Sequence, residues 1–483
     1  MLFLAFSASM AMNAETYSGT IIVNRLGQTN TSDVTVTVTQ SDNGLYTLVL
    51  EVPMFGTMVM SDVPASTIDG ITVFSADRDV ETNMGVMRTI MLTRSVNGMM
   101  TADLNLPDQY TTMHFDNVGN HFQLPNSDME DWNSSYTDEP NRWHGFKSAG
   151  GSFAGTSASI ASLGSSDDVR PGATGHSAVL TAGTFIGIVA NGTMTNGKLM
   201  AGSYSATSTD NHAEMDKANG TDDFYMPLYA KPDKFNVWLK YTQGTANANN
   251  KANVSVKTFD GTYYQEPVDK VYTNLSGSIM SGSIPAGDWT FYSFPFDYDS
   301  YADNNATSEA IFVTFSTNGN PGQGSKNDAL YVDDIELVYL AEMTDLRYQG
   351  TTIDGWDPTV TEYTMELAGE PDLNDFTADI VGASAILAKS MEQLADGSFR
   401  IAISVVSGDL QTAICYIIRV TAPTGKKGDV NGDGNINTGD LSVLISYLLN
   451  GSGDINEYNA DMNDDTSINI GDLSTLITYL LNN

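Results

Sequence analysis

The last 56 residues write one pattern twice. Asp429, Asn431, Asp433, Asn435, Asn437 and Asp440 are followed, 32 positions on, by Asp461, Asn463, Asp465, Ser467, Asn469 and Asp472. Oxygen-bearing side chains therefore stand at positions 1, 3, 5, 7, 9 and 12 of both runs. Alternate side chains of such a loop, with the position-7 carbonyl, can aim at one point, which is what Ca2+, a hard cation taking six to eight oxygens, requires. Each run leads into an amphipathic stretch: Leu441, Leu444, Ile445 and Leu448, then Leu473, Leu476, Ile477 and Leu480, all at i, i+3, i+4, i+7. Two apolar helix faces need a partner, and each is the other's nearest. Asp/Asn/Gly runs also mark ordinary turns, but two in-register copies with matched helices select the metal-loop reading. Gly434 holds position 6, where the loop turns sharply; the second copy has Thr466 there, strained at positive φ, so the second loop is expected to bind its ion less tightly.

These are the ligand positions of an EF-hand loop. The segment, including GDVNGDGNINTGDLSVLISYLLN and DMNDDTSINIGDLSTLITYLLN, resembles the type I dockerin family over essentially its whole length. The resemblance implies Ca2+ as the bound ion and a cohesin-like domain of another protein as the partner. In that family loop positions 10 and 11 and the start of the helix meet the cohesin, through a small hydroxyl pair in the best-known members. Here those positions are Thr438-Gly439 and Ile470-Gly471, which leaves the partner's identity open.

At 483 residues the chain needs several cores. A formal charge of −37, from 59 acidic against 22 basic residues, repels phosphate backbones and anionic lipid, so nucleic acid and membrane insertion are not expected. The single cysteine, Cys415, permits no internal disulfide; its apolar neighbours Ile414 and Tyr416 suit a buried strand thiol. Met1 to Ala14 is apolar, ends in small residues and is similar to the core and cleavage site of a secretory signal without its basic start. A secreted, extracellular or cell-surface location is therefore expected, and it suits calcium loops.

The rest reads as mainly β and multidomain. Residues 15–118 alternate in short runs, Val34/Val36/Val38 and Tyr46/Leu48/Leu50/Val52 among them, separated by turns such as Asp69-Gly70 and Asn97-Gly98. That pattern fits a small up-and-down barrel and resembles the calycin-like (lipocalin-type) domains of Bacteroidetes secreted proteins. Met54, Met58, Met60, Met84, Met87, Met91, Met99 and Met100 are expected to fill its interior. Residues 120–340 alternate strands with long Gly/Asn/Ser loops, as in a two-sheet jelly roll. The opening Asn126 to Trp132, the closing Tyr331 to Tyr339, Val169 to Gly172 and Asn191 to Gly197 resemble a Bacteroidetes carbohydrate-metabolism domain and the ends of jelly-roll carbohydrate-binding modules. Residues 341–423 resemble Ig-like or cadherin-like sandwiches and are expected to act as a spacer, with 424–427 as a linker to the module at 428–483.

Three function classes stay open: a noncatalytic glycan-binding protein, a glycoside hydrolase acting through 120–340, and a structural surface or adhesion protein. No histidine falls in a metalloprotease pattern, and Gly175-His176-Ser177-Ala178-Val179 lacks the closing glycine of a nucleophile elbow. Binding is preferred, because sugar rings dock apolar C–H faces on aromatics while Asn, Asp and Gln meet their hydroxyls. Tyr136, Trp143, Tyr263 and Tyr301 lie in polar stretches and are the expected contacts; Trp132, Trp238 and Trp289 are expected in the core. The jelly-roll resemblance further implies a structural calcium between Glu130, near the first strand, and Asp333, in the last.

Overall fold

The computed structural model describes residues 14–482 apart from 134, 137, 219–222, 280–281, 368, 423–424, 452 and 454. The expected leader, save for Ala14, lies outside the described residues, as does Thr424 of the linker.

Nine antiparallel strands build the N-terminal unit: β1 (Ala14–Arg25), β2 (Gln28–Gln40), β3 (Tyr46–Val52), β4 (Gly56–Val63), β5 (Ala65–Ile68), β6 (Ile71–Thr82), β7 (Gly85–Val96), β8 (Met99–Leu106) and β9 (Thr111–Asp116). They follow one another as a meander, with β9 returning to β1. Pro64, which has no N–H to donate, separates β4 from β5. The first pairs with β3 and the second with β6, so together they act as one kinked strand that closes the sheet into a barrel-like ring. Val34, Val36, Val38, Leu48, Leu50 and Val52 point inward, as their alternation requires, with Met58, Met60, Met87, Met91 and Met100 packed among them. Met54 and Met84 depart from the expectation. They sit exposed on turns at one barrel end, with their sulfurs 3.9 and 3.8 Å from the Arg25 guanidinium.

The large unit is a two-sheet sandwich. One sheet runs Ser162–Ser166, Ser177–Thr181, Ala329–Val338, Lys234–Thr242 and Gly287–Asp297; the other runs Leu275–Ile279, Ala252–Phe259, Ala310–Ser316 and Thr193–Thr195. Gly287–Asp297 joins them: residues 287–295 pair in the first sheet, Phe296 and Asp297 in the second. Phe235, Val237, Leu239 and Tyr241 share one apolar core with Val254, Val256, Val313 and Phe315. Alternate residues of the same strands therefore reach the two outer surfaces, which is what exposes the candidate sites.

Residues 342–421 form two further sheets, of three and four strands, in which Glu362–Glu366 runs parallel to Ala413–Thr421. This unit is bonded to both neighbours. The fully buried Arg94 of the barrel donates to the carbonyls of Leu410 (2.7 Å) and Gln411 (3.0 Å) and pairs with Asp103. Arg400 reaches Ser75 at 2.9 Å. On the sandwich side, Asp233 accepts the amides of Leu340 and Ala383 at 2.7 and 2.8 Å. Cys415, half-buried, faces the barrel side, with its sulfur 3.6 Å from the Ser75 hydroxyl.

Candidate functional site

In the C-terminal module the two loops lead into helices Thr438–Asn450 and Ile470–Asn482, with a short helix, Glu457–Ala460, that the hydrophobic pattern did not reveal. Val430, Leu444, Ala460 and Leu476 are buried at its centre, and Leu441, Leu448, Leu473 and Leu480 pack around them. Ile445 and Ile477, expected in the stripes, are instead partly exposed, like Leu449 and Leu481 one turn further on. Each loop orients its carboxylates with its own backbone. Asp429 accepts the amides of Asp433 and Gly434 at 3.0 and 2.9 Å, and Asp440, closing the loop, those of Asn431 and Asn437 at 3.0 and 2.8 Å. The second loop repeats this: Asp461 accepts from Asp465 and Thr466, Asp472 from Met462 and Asn469. Asn437 also caps its helix, with Asp440 completing the capping box.

The arrangement fits a cation. Asp440 and Asp472 are fully buried carboxylates, and oxygens of Asp461, Asp465 and Asp472 lie within 4.8 Å of one another. The remaining side chains of the alternating set, Asn431, Asp433, Asn435 and Asn437 in the first loop and Asn463, Ser467 and Asn469 in the second, occupy the same turns. The loops differ at position 6: Gly434 has φ +87°, and Thr466 is forced to φ +66°. Lys427 adds a second difference, with its ammonium 3.9 Å from an Asp461 carboxylate oxygen and 2.7 Å from Asp464. Both features distinguish the second loop, whose carboxylates Asp461, Asp465 and Asp472 nonetheless converge.

The Dockerin type I domain model matches residues 427–481. The C-terminal module is a type I dockerin domain. Type I dockerins bind calcium and dock to cohesins. No curated protein sequence matches the chain. Among solved structures, a glycoside hydrolase-like protein from Bacteroides thetaiotaomicron is similar, at 14% identity and TM-score 0.33, over 53% of this chain and 87% of that one. So is the M60 catalytic domain with two CBM51 domains from Clostridium perfringens ZmpB, at 9% identity and TM-score 0.17, over 88% of this chain and 41% of that one. Among the described residues, no helix is long and apolar enough to cross a membrane.

The sandwich carries a cleft of about 560 Å³. Its floor is the outer face of the second sheet, where strand alternation turns Val254, Val313 and Phe315 inward and Asn253, Ser255, Thr314 and Ser316 outward. Register sets Thr193, Ser316 and Asn253 in one row and Ser255 beside Thr314 in the next. One wall is aromatic: Tyr204 stands between Phe153 and Phe185, with ring centroids 6.4 and 6.3 Å away. Phe185 and Tyr204 are 39% and 45% exposed, so the wall is open to a ligand. At one end lie Glu266, which accepts the Tyr264 hydroxyl at 2.9 Å, and His212. Burial works to lower the His212 pKa, but the Glu214 carboxylate and the Thr209 carbonyl outweigh it and raise the value.

The expected sugar contacts fare differently. Trp143 is 0% exposed, packs on Phe315 and donates its indole N–H to the Pro125 carbonyl; it is core, because the polar loop around it folds back over the sandwich. Tyr136 is half-buried against His144 and Phe224, Tyr263 is tied to Gln265 and Glu214, and Tyr301 packs on the core. None of the four lines the cleft. Trp238 and Trp289, expected inside, lie on the outer face of the first sheet. There Trp238 meets the 48%-exposed Phe291 at 5.5 Å, and Asp168 fixes both the Trp289 indole (2.9 Å) and Lys240 (2.8 Å). Glu130 and Asp333 attach to the 167–176 loop at different amides: Glu130 accepts from His176 at 2.8 Å, Asp333 from Arg170 at 3.1 Å. Burial raises the Asp333 pKa to about 6, with the Arg170 amide working against it.

Proposed function

We propose that this chain is a secreted, noncatalytic glycan-binding protein, tethered through its calcium-loaded dockerin to a cohesin-like domain of another protein. One observation carries the glycan assignment: a row of hydroxyls and amides on a sheet shares one cleft with three aromatic rings, Tyr204 flanked by Phe153 and Phe185. Pyranose rings present the complementary pair of surfaces, an apolar C–H face and an equatorial belt of hydroxyls. Glycoside hydrolysis needs two carboxyl groups, roughly 5–9.5 Å apart, flanking the scissile bond. Among the described residues lining the cleft Glu266 is the single carboxylate, and it is engaged by Tyr264 and by Lys257, 3.8 Å away. This favours binding over turnover. The exposed apolar residues Ile470, Leu449 and Leu481 support the docking half of the reading, since they leave the dockerin with uncovered apolar surface.

The test is a glycan array probed with the full chain in Ca2+, followed by a reducing-end assay on every hit. Tyr204→Ala and Phe185→Ala should each weaken binding by about 1–2 kcal/mol while the melting temperature holds, because both rings are substantially exposed. Release of reducing ends would assign the chain to the glycoside hydrolases instead. No hit, or hits indifferent to both substitutions, would remove the cleft from the account.

A further inference from the structure

The lining of the cleft narrows the class of glycan, given the reading that a glycan binds there. No Lys or Arg is among its described lining residues. Its one carboxylate and its one imidazole are already partnered by the protein. Glu266 faces the Lys257 ammonium at 3.8 Å and accepts the Tyr264 hydroxyl. His212 approaches the Thr209 carbonyl through Nδ1 at 2.8 Å and the Glu214 carboxylate through Nε2 at 3.0 Å. Both ring nitrogens are thus engaged within the protein, and Glu214 stands where it balances a charge on the ring. Each of these groups already has a partner of opposite charge, which leaves no unpartnered charge among the described lining residues for a sulfate, uronate or ammonium group, and the chain's formal charge of −37 repels polyanions from a distance.

The lining is also more aliphatic than an unsubstituted sugar chain can use. Besides the aromatic wall, Ile160, Ile188, Leu199, Met200, Ala213 and Val268 border the same space. A bare glucan covers aromatic rings with its C–H face, but hydroxyls pressed against these aliphatic groups would lose water without gaining a partner. An acetamido group resolves the mismatch. Its methyl fills aliphatic space, its N–H donates to the Thr193, Thr314 or Ser316 hydroxyl oxygens, whose own protons are already donated within the protein, and its carbonyl accepts from Ser255 or Asn253. We infer that the cleft selects uncharged glycans built from N-acetylated amino sugars.

Isothermal titration of the full chain in Ca2+ with four trisaccharides tests this: N-acetylchitotriose, its fully de-N-acetylated form, cellotriose and trigalacturonic acid. N-acetylchitotriose should bind about tenfold or more tighter than each of the others, the fold-change expected from one methyl in an apolar pocket plus a net hydrogen bond. Val268→Ser changes a 55%-exposed rim residue and should narrow that ratio without altering the melting temperature. Equal or tighter binding of cellotriose overturns the N-acetyl inference while leaving glycan binding in place. Preference for the galacturonate or the deacetylated trimer overturns it through the charge argument. Failure of every glycan, here and on the array, overturns it together with the reading on which it rests.

Discussion

The expected asymmetry between the two calcium loops rests first on one backbone position, and it can be exchanged. Thr466 sits at φ +66°, where an L-residue with a branched Cβ pays about 1–2 kcal/mol of steric strain. Glycine would relieve this but loses about 0.5–1 kcal/mol to its greater freedom in the unliganded loop. The net gain for Thr466→Gly is about 0.5–1 kcal/mol, or roughly two- to fivefold in calcium affinity. Thr466 is exposed and its hydroxyl bonds only the Asp465 carbonyl, so little else is lost. The reverse change is equally clean: a Cβ built on Gly434, at φ +87°, meets nothing within 4 Å, so Gly434→Thr introduces backbone strain without a clash. Calorimetric calcium titration of the full chain should resolve a tighter and a weaker step. Thr466→Gly should strengthen the weaker step, Gly434→Thr should weaken the tighter one, and the double exchange should transfer the tighter step to the second loop. Substitutions that leave both steps in place would refute the strain argument. If only Lys427→Gln then moves the weaker step, the lysine beside Asp461 is the cause of the asymmetry.

Other consequences follow from buried charge. Chelation should abolish the helical signal of the dockerin, since Asp440 and Asp472 are buried without a cationic side chain and residues 428–483 contain no Lys or Arg; circular dichroism unchanged by chelator would contradict this. Arg94→Ala strips donors from the Leu410 and Gln411 carbonyls and leaves a cavity, a loss of about 2–4 kcal/mol that should split an early barrel transition from the main thermal unfolding. The Asp333 pKa is raised by burial to about 6, above its value of 3.8 in an unfolded chain, so its stabilising protonated form is complete below about pH 4 and lost as pH rises through 6. Asp333→Asn should therefore add about 2 kcal/mol at pH 7 and almost nothing at pH 3.5. The opposite sign at pH 7 in calcium would mean that Asp333 and Glu130 hold an ion.

Short-range pattern carried most of the fold. The barrel strands were legible because one face of each is buried, which imposes period two on Val34 to Val38 and Leu48 to Val52. The calcium loops were legible because their ligands are consecutive in sequence. The cleft was not, since its floor, aromatic wall and aliphatic border come from segments between Phe146 and Gly322 that only tertiary folding assembles. Trp143 misled because loop residues have no period to report burial. Trp238 did leave a signal: in Lys234 to Thr242 it shares the register of Asn236 and Lys240, opposite Phe235, Val237, Leu239 and Tyr241, so alternation already placed it on the outer face. The bridging role of residues 342–421 depends on Arg94 and Arg400, single side chains whose partners lie more than 300 positions away.

The measurement closest to the central claim is a parallel titration of wild-type chain and Tyr204→Ala with the best array glycan in Ca2+, with reducing ends assayed in the same samples. The account predicts saturable binding by the wild type, weakened by about one order of magnitude in the variant, at equal melting temperatures and without release of sugar. Undiminished binding by Tyr204→Ala, or liberation of reducing ends by the wild type, would contradict it.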